Sequence, residues 1–308
     1  MPFRRRTFRL PRSTRRVTRY RASGSYRAAR PRYSRFTRSR RVVRRRPMSR
    51  RRLLNVTSTK KSDTMMPVVV DTSGVGTDGP LLVTPEETGG GFNSLFIPSA
   101  RNFTDYSTPY GRESGTIYAR GYKDRIHVTV SGGATWSWRR TAFLMKGPRL
   151  RNFFLDNSVG QQYDGLGPSA GETPARTIGP MPDQIATLIR AYIYRGTQGV
   201  DWYDPLTASL DKTKITVLSD KVISINPGNE SGRSRKYKFW TPINKNIVYG
   251  GHESSEIRVG SAYSTEALPG AGDLYIFDQV VRDTPNASGS IAPTLRFSPE
   301  GTFYWHER

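Results

Sequence analysis

The chain concentrates its net charge at one end, and this distribution limits how it can fold. Residues 1–62 contain 22 Arg and 2 Lys, and the first acidic residue is Asp63. That segment therefore accounts for the whole net charge of +24, and residues 63–308 sum to zero. Like charges repel one another, and such a segment buries too little apolar surface to offset the entropy of ordering. The sequence predicts a disordered basic arm over residues 1–52 and one folded domain over residues 53–308.

The arm combines arginine with aromatic residues such as Phe3, Tyr20 and Phe36. Guanidinium groups bind phosphate bidentately and stack on bases, and aromatic rings stack on unpaired bases. This mixture favours single-stranded nucleic acid, bound without sequence preference. The arginines predicted to bind it are Arg4, Arg5, Arg6, Arg9, Arg12, Arg15, Arg16, Arg19, Arg21, Arg27, Arg30, Arg32, Arg35 and Arg38.

Residues 40–52 form the densest basic run and precede the folded domain directly. Such a run is typical of a nuclear localisation signal, which needs only about five to eight basic residues. The arginines assigned to it are Arg40, Arg41, Arg44, Arg45, Arg46, Arg50, Arg51 and Arg52. A nuclear address alone would leave the other arginines unexplained, so we expect both roles. Adsorption to an anionic membrane is a further alternative, but the arm has no amphipathic apolar face.

The folded domain alternates apolar and polar residues with the two-residue period of β-strands. In residues 125–130, Ile126, Val128 and Val130 fall on one side and Arg125, His127 and Thr129 on the other. Residues 273–281 are apolar on both sides, which is typical of the middle of a buried sheet. Residues 298–301, Ser-Pro-Glu-Gly, match type I turn preferences and predict a terminal hairpin.

Helical spacing appears over residues 182–196, where Ile185, Leu188, Ile189 and Ile193 recur between an N-terminal Pro-Asp pair and Gly196. Residues 188–194 also alternate as a strand would, but we expect one short helix there. Long Gly- and Pro-rich loops are expected over residues 68–91, 157–182 and 283–293. Many short strands joined by long loops favour an all-β sandwich or jelly roll of two packed antiparallel sheets.

The sequence gives no indication of an enzyme. Residues 167–171, Gly-Pro-Ser-Ala-Gly, spell the nucleophile-elbow motif but lie in a Gly- and Pro-rich stretch without the strand and helix that the motif needs. The chain has no Cys and three scattered His residues. We therefore predict no catalytic residue, no metal site and no cofactor. No apolar run approaches the ~20 residues that cross a bilayer, so no membrane partner is expected.

A second nucleic-acid contact is possible in residues 232–240, where basic and aromatic residues interleave. Its candidate residues are Arg233, Arg235, Lys236 and Lys238, next to Tyr237, Phe239 and Trp240. Alternation alone would also produce a strand with a solvated basic face and buried rings. We favour this simpler interpretation.

Five blocks of the sequence resemble the capsid proteins of genomoviruses, and more distantly the coat proteins of geminiviruses. In order along the chain they are "LLNVTSTKKSDTM" (53–65), "GTQGVDWYD" (196–204), "FWTPINKNIVYGG" (239–251), "GAGDLYIFD" (270–278) and "TFYWHER" (302–308). The resemblance spans nearly the whole chain. It implies a single viral jelly roll, a small icosahedral T=1 shell, packaging of circular single-stranded DNA, and passage through the host nucleus by way of the import machinery.

The charge of the arm is consistent with that expectation. If about 60 copies form one shell, their arms supply roughly 1,400 positive charges, enough to offset a genome of roughly one to two thousand nucleotides. The alternative is a cellular structural nucleic-acid-binding protein of ribosomal or chromatin type. Such a protein would more often spread positive charge over its folded surface. A nucleic-acid enzyme is a third alternative, which would need clustered carboxylates or His in a pocket.

Overall fold

A computed structural model describes residues 48–70, 76–84, 91–103, 109–156, 175–229, 231–254, 257–284 and 292–308. Within it, Met48–Arg308 forms one compact unit. Residues 1–47, and with them most of the predicted arm and its predicted disorder, lie outside the described part. The same holds for the Gly-Pro-Ser-Ala-Gly motif at residues 167–171. The predicted domain boundary at residue 52 therefore stays a prediction.

Thirteen strands and three helices make up the described part. The strands are β1 Thr59–Met65, β2 Pro67–Val70, β3 Gly76–Asp78, β4 Leu81–Val83, β5 Gly91–Phe96, β6 Thr116–Ser131, β7 Trp136–Met145, β8 Arg176–Ile178, β9 Thr216–Ile225, β10 Arg233–Ser254, β11 Ile257–Ser264, β12 Asp273–Arg282 and β13 Thr294–Glu307. The helices are α1 Arg50–Thr57, α2 Arg149–Asp156 and α3 Asp183–Ile193.

Eight long strands define the topology. They form four antiparallel pairs: β1 with β13, β5 with β12, β6 with β10, and β7 with β9. The first strand thus pairs with the last, the second with the second last, and so on inward. The chain is thus one long hairpin, which is rolled up by two further pairings, β13 with β6 and β12 with β7. The products are a sheet in the order β1-β13-β6-β10-β11, with β4 beside β13, and a sheet in the order β5-β12-β7-β9. This wrapped hairpin is the two-sheet jelly roll, so the predicted all-β fold is confirmed.

The inward-pointing side chains of the alternating strands fill the space between the two sheets. Ile126, Val128 and Val130 of β6 are each 1% exposed, as the pattern predicted, and they share a cluster with Trp136 and Trp138 of β7. Strand β12 lies between β5 and β7 and is buried on both faces from Asp273 to Val280, which confirms its predicted central position. Burial of this apolar surface is the main favourable term in folding.

The predicted helix over residues 182–196 is confirmed as α3. Asp183 lies in its first turn, where a carboxylate interacts favourably with the helix dipole. Ile185, Ile189 and Ile193 recur every four residues and are at most 1% exposed. They pack on the outer side of the four-stranded sheet. This helix therefore closes one face of the jelly roll.

Two helices were not predicted. Helix α1 begins after Ser49, whose side chain accepts a hydrogen bond from the backbone N–H of Arg52 at 3.3 Å. Serine at this position caps a helix. The change from arginine to apolar residues at Leu53 thus falls inside a helix rather than at its end. Helix α2 follows β7 directly and precedes the residues 157–174 that the structure does not describe.

Two other expectations are wrong. The predicted hairpin at residues 298–301 is absent, because β13 runs through these residues without a turn and pairs with β6 throughout. On its other side, β4 pairs only up to Phe297 and β1 only from Gly301, so Pro299 lies where no second strand needs its missing N–H. The predicted loops over 68–91 and 157–182 also contain most of β2 and the whole of the short strands β3, β4 and β8.

Buried ion pairs join the sheets across the core. Arg140 of β7 donates from Nη1 to both carboxylate oxygens of Asp278 on β12, at 3.1 and 3.0 Å. It also pairs with Asp124 of β6, and Arg176 of β8 donates to Asp278 at 3.0 Å. The four side chains are at most 4% exposed. Loss of one partner would leave an uncompensated charge in the core, so this network constrains how the sheets pack.

Two further observations concern the described residues as a whole. None of their helices is long and apolar enough to cross a bilayer. They also contain no group of three or more His, Asp or Glu side chains arranged to hold a metal ion.

Candidate nucleic-acid interface

The outer side of the six-stranded sheet faces solvent, and strand alternation determines which side chains it presents. In β6, Ile126 and Val128 point into the core, so Arg125 and His127 point outward, and both are exposed. The same alternation runs along β13, β1 and the first half of β10. The cations at outward positions are Lys60, Lys123, Arg125, Lys236, Lys238 and Arg296.

Two more exposed cations, Arg120 and Lys245, lie where the pairing of β6 with β10 is irregular. Arg120 donates a hydrogen bond to Oδ1 of Asn244. Within β1, β6, β13 and residues 233–248 of β10, Glu300 is the one carboxylate at an outward position. With Arg120, whose charge acts on the outward His306, seven cations and one carboxylate lie on one face and create a positive potential that attracts polyanions.

The pairing register places these side chains beside one another. Lys238 of β10 lies opposite Arg125 of β6, and Arg125 lies opposite Glu300 of β13. In the neighbouring row, Lys236 lies opposite His127. Directly opposite residues have Cβ atoms about 4.5–5.5 Å apart, so the cations form a contiguous surface.

The four residues predicted as a second contact divide between the two sides of β10. Lys236 and Lys238 are exposed on the outward side, and Arg233 is exposed at the first residue of the strand. Arg235 is half-buried at an inward position. Contact of these residues with nucleic acid stays a prediction.

The aromatic residues of this stretch also divide. Tyr237 and Phe239 turn inward and pack edge-on against Trp138, with ring centroids 5.4 and 5.5 Å apart. Alternation therefore predicted the direction of these two rings correctly, but they are half-buried rather than buried. Trp240 differs, because it lies outward on the side of the lysines and is 49% exposed.

Most of the outward cations were not predicted as part of a site. Lys60, Lys123 and Arg296 come from three different strands, and only the pairing of β1, β13, β6 and β10 brings them together. The sequence carried one useful signal, the alternation that placed Arg125 opposite the apolar side of β6. It carried no signal for which strands are neighbours.

The arginines predicted in the arm, Arg4 to Arg38, lie outside the described residues, as do Arg40 to Arg46 of the predicted nuclear localisation signal. The last three residues of that signal, Arg50, Arg51 and Arg52, form the first turn of α1. Arg52 is exposed.

His306 illustrates the electrostatics of this face. Partial burial lowers the pKa of its imidazole below the ordinary value of 6.5, and the positive charges of Arg120 and Lys60 lower it further. The ring is therefore neutral at pH 7 and is available as an aromatic surface.

Comparisons with known proteins add little to this description. No protein-family model and no curated protein matches the chain. Among solved structures, it is similar to VP1 of Trichodysplasia spinulosa-associated polyomavirus in complex with sialylated precision glycooligomers, at 9% identity over 81% of this chain and 76% of that one, with a TM-score of 0.13. A second structure of that VP1 has 10% identity over 81% and 79% of the two chains, with a TM-score of 0.11. The chain is thus classed by its own geometry, as a jelly-roll protein with a cationic sheet face.

Proposed function

We propose that this protein is the capsid protein of a small virus, which self-assembles into an icosahedral shell and packages circular single-stranded DNA. The division of charge carries the proposal, because a jelly-roll domain close to neutral, +2 over residues 53–308, follows an arm of +22 over residues 1–52. A neutral domain can pack against copies of itself without long-range repulsion, and a cationic arm can neutralise phosphate inside the shell. The resemblance of five sequence blocks to genomovirus capsid proteins supports the same function.

In this proposal, homo-oligomers of about 60 copies close a T=1 shell with point-group symmetry. The arms bind the genome through their arginines, and the aromatic residues stack on unpaired bases. Residues 40–52 engage the host nuclear import machinery before assembly. The protein is then found in the host nucleus and in the virion. This function requires no cofactor and no catalytic group.

Electron microscopy of the purified full-length protein tests assembly. We expect closed shells of uniform diameter when single-stranded DNA is added. Monomers or irregular complexes over a wide range of salt concentration would contradict a capsid function.

Salt titration of DNA binding tests the arm. Replacing its arginines by Gln in stages should flatten the slope of log K against log salt by about 0.7 for each phosphate that the arm no longer neutralises. Replacing Phe3, Phe8, Tyr20, Tyr26, Tyr33 and Phe36 by Leu should weaken binding at nearly constant slope, since stacking releases no counterions. An unchanged slope after removal of the arm's arginines would contradict its role.

Nuclear accumulation of a tagged protein tests the import signal. Because Arg50, Arg51 and Arg52 belong to α1, deletion of residues 40–52 would also remove the start of a helix. Substitution of Arg40, Arg41, Arg44, Arg45 and Arg46 by Gln is a cleaner change, and we expect it to impair nuclear entry. The matched control replaces five arginines between residues 4 and 16. Equal impairment by the control would contradict a signal confined to residues 40–52.

A cellular structural nucleic-acid-binding protein of ribosomal or chromatin type is the second candidate. The cationic sheet face favours it, because such proteins bind through their folded surface. The assembly experiment separates the two candidates, since only the capsid protein should form closed shells.

A further inference from the structure

A glycine in β6 lets two aromatic residues meet across the strand that separates them. Trp240 of β10 and Tyr304 of β13 both point outward, and β6 lies between them. Gly121 of β6 lies opposite Tyr304 and has no side chain to separate the rings. A Cβ on Gly121 would come within 2.8 Å of Cζ2 of Trp240. The indole ring therefore lies over the glycine backbone, and its centroid is 5.8 Å from that of Tyr304.

The aromatic surface continues beyond this pair. His306 follows Tyr304 by two residues on β13 and so points to the same side. It lies opposite Tyr118 of β6, and the centroids of these two rings are 6.0 Å apart. Because Tyr304 and His306 are two residues apart on one side of β13, the two ring pairs lie side by side and form an aromatic strip that crosses three strands. Trp240 lies opposite Lys123, which lies opposite Thr302, so the strip is level with β13 from Thr302 to His306. This length is about 13 Å.

Cations surround the aromatic strip. Lys123 of β6 lies directly opposite Trp240 of β10. Lys238 precedes Trp240 by two residues and so lies on the same side of β10. At the other end, Lys60 of β1 lies opposite His306. Arg120 is held at the irregular pairing by its hydrogen bond to Asn244. The carboxylate of Glu300 belongs to the row of Arg125, outside the strip.

We propose that the aromatic strip and its surrounding cations form a binding site for unpaired DNA bases on the folded domain, separate from the basic arm. The inference rests on the proposed function in one respect, that the ligand is single-stranded DNA. The aromatic rings stack on two or three bases, as aromatic residues on sheet surfaces do in RNA recognition modules. The lysines and Arg120 contact the adjoining phosphates.

The chemistry of this face favours single-stranded DNA as the ligand. Every base offers a π-face when it is unpaired, whereas bases in a duplex are stacked on one another and offer only their edges. A half-exposed Trp held over a glycine backbone is pre-organised for stacking. A second copy of the nearly neutral domain would gain nothing from seven cations and one carboxylate, so a polyanion fits this face better than a protein does.

Photocrosslinking of the full-length protein tests the site. The probe is a short single-stranded oligodeoxynucleotide that contains 5-iododeoxyuridine, and crosslinked peptides are identified by mass spectrometry. We expect crosslinks at Trp240 and Tyr304 in addition to those in the arm. The same oligonucleotide in duplex form should give roughly tenfold fewer crosslinks at these two residues. Equal crosslinking by both forms would overturn the stacking proposal.

Fluorescence gives a second readout. Of the five Trp residues, Trp136, Trp138 and Trp305 are fully buried and Trp202 is half-buried, so Trp240 is the one most accessible to a base. We expect single-stranded DNA to quench the fluorescence and Trp240→Phe to abolish most of that quenching. At about 0.5 M salt, which screens the arm, Trp240→Ala should weaken binding roughly tenfold.

Tyr203→Ala is the matched control, because Tyr203 is 87% exposed on a loop outside this face. It should change neither crosslinking nor quenching. Crosslinks confined to residues 1–52, with quenching unaffected by Trp240→Phe, would overturn this inference and leave the proposed function intact. Absence of crosslinks from both the arm and the sheet would overturn the proposed function as well.

Discussion

The outer faces of the two sheets differ in chemical character: one is apolar and covered, and the other is charged and exposed. On the four-stranded sheet, Phe143 of β7 and Tyr275 and Phe277 of β12 point outward and are fully buried. Helix α3 covers them with Ile185 and Ile189. On the six-stranded sheet, the outward positions carry Lys, Arg and partly exposed aromatic side chains, and most of them are exposed.

This difference shows how one fold divides its tasks. A sheet needs an apolar face only where something covers it, and the connection between β8 and β9 supplies that cover as α3. The six-stranded sheet has a single apolar face, which it turns toward the core. Its other face is therefore free to carry charge at little cost in stability, and this freedom permits a binding surface there.

The largest loss of stability is expected when the covered face, the outer face of the four-stranded sheet under α3, is made polar. Ile189→Asp places a charge among apolar side chains, and we expect it to lower the free energy of unfolding by more than about 4 kcal/mol. Lys238→Asp on the open face should change it by less than about 0.5 kcal/mol. Denaturant unfolding of the unassembled protein measures both. Similar losses for the two variants would contradict the contrast between the faces.

The ion pairs between the sheets give the next largest effect. Arg140→Met leaves Asp124 and Asp278 without their main partner in the core, and we expect a loss of about 3–5 kcal/mol. The pair of Lys214 with Asp211 is at the surface, so Lys214→Met should cost less than about 1 kcal/mol. Unfolding in urea compares the two. An unchanged stability of Arg140→Met would mean that Arg176 alone is sufficient to compensate the two carboxylates.

A smaller loss of stability is expected for a substitution at Gly121, on the exposed outer face of the six-stranded sheet. A Cβ on Gly121 would lie 2.6 Å from the carbonyl oxygen of Thr241 and would also displace Trp240. We expect Gly121→Ala to cost about 1–3 kcal/mol and to alter the Trp fluorescence. Gly115→Ala is the control, because no atom lies within 4 Å of its Cβ position. Equal stability of the two variants would show that β6 relaxes to accept the methyl group.

The smallest expected effect is a pH dependence at His306. Its pKa is lowered in the folded protein, so the unfolded chain takes up a proton first as the pH falls below 6.5. The contribution of the neutral ring to stability is complete above pH 6.5 and is lost as the pH falls toward the lowered pKa. Thermal melts between about pH 7.5 and about pH 5 should show a shallower pH dependence in His306→Gln than in the native protein. Identical profiles would contradict the assignment.

Local features of the sequence were sufficient for several conclusions. Strand alternation placed Ile126, Val128 and Val130 in the core, and helical spacing located α3. These predictions succeeded because each depends on residues within two turns or a few strand positions of one another. The turn predicted at residues 298–301 failed for the same reason. A Ser-Pro-Glu-Gly stretch satisfies local turn preferences, but pairing of the flanking residues with one long strand, β6, overrides them.

The sequence by itself determined the separation of an arm of +22 from a domain close to neutral and the β character of that domain, since both follow from composition and short-range periodicity. Only the tertiary structure decided which strands are neighbours. Arg140 and Asp278 are 138 residues apart, and Trp240 meets Tyr304 only because Gly121 of a third strand lies between them. Strand register sets such contacts, and register is a property of paired strands that no single segment encodes.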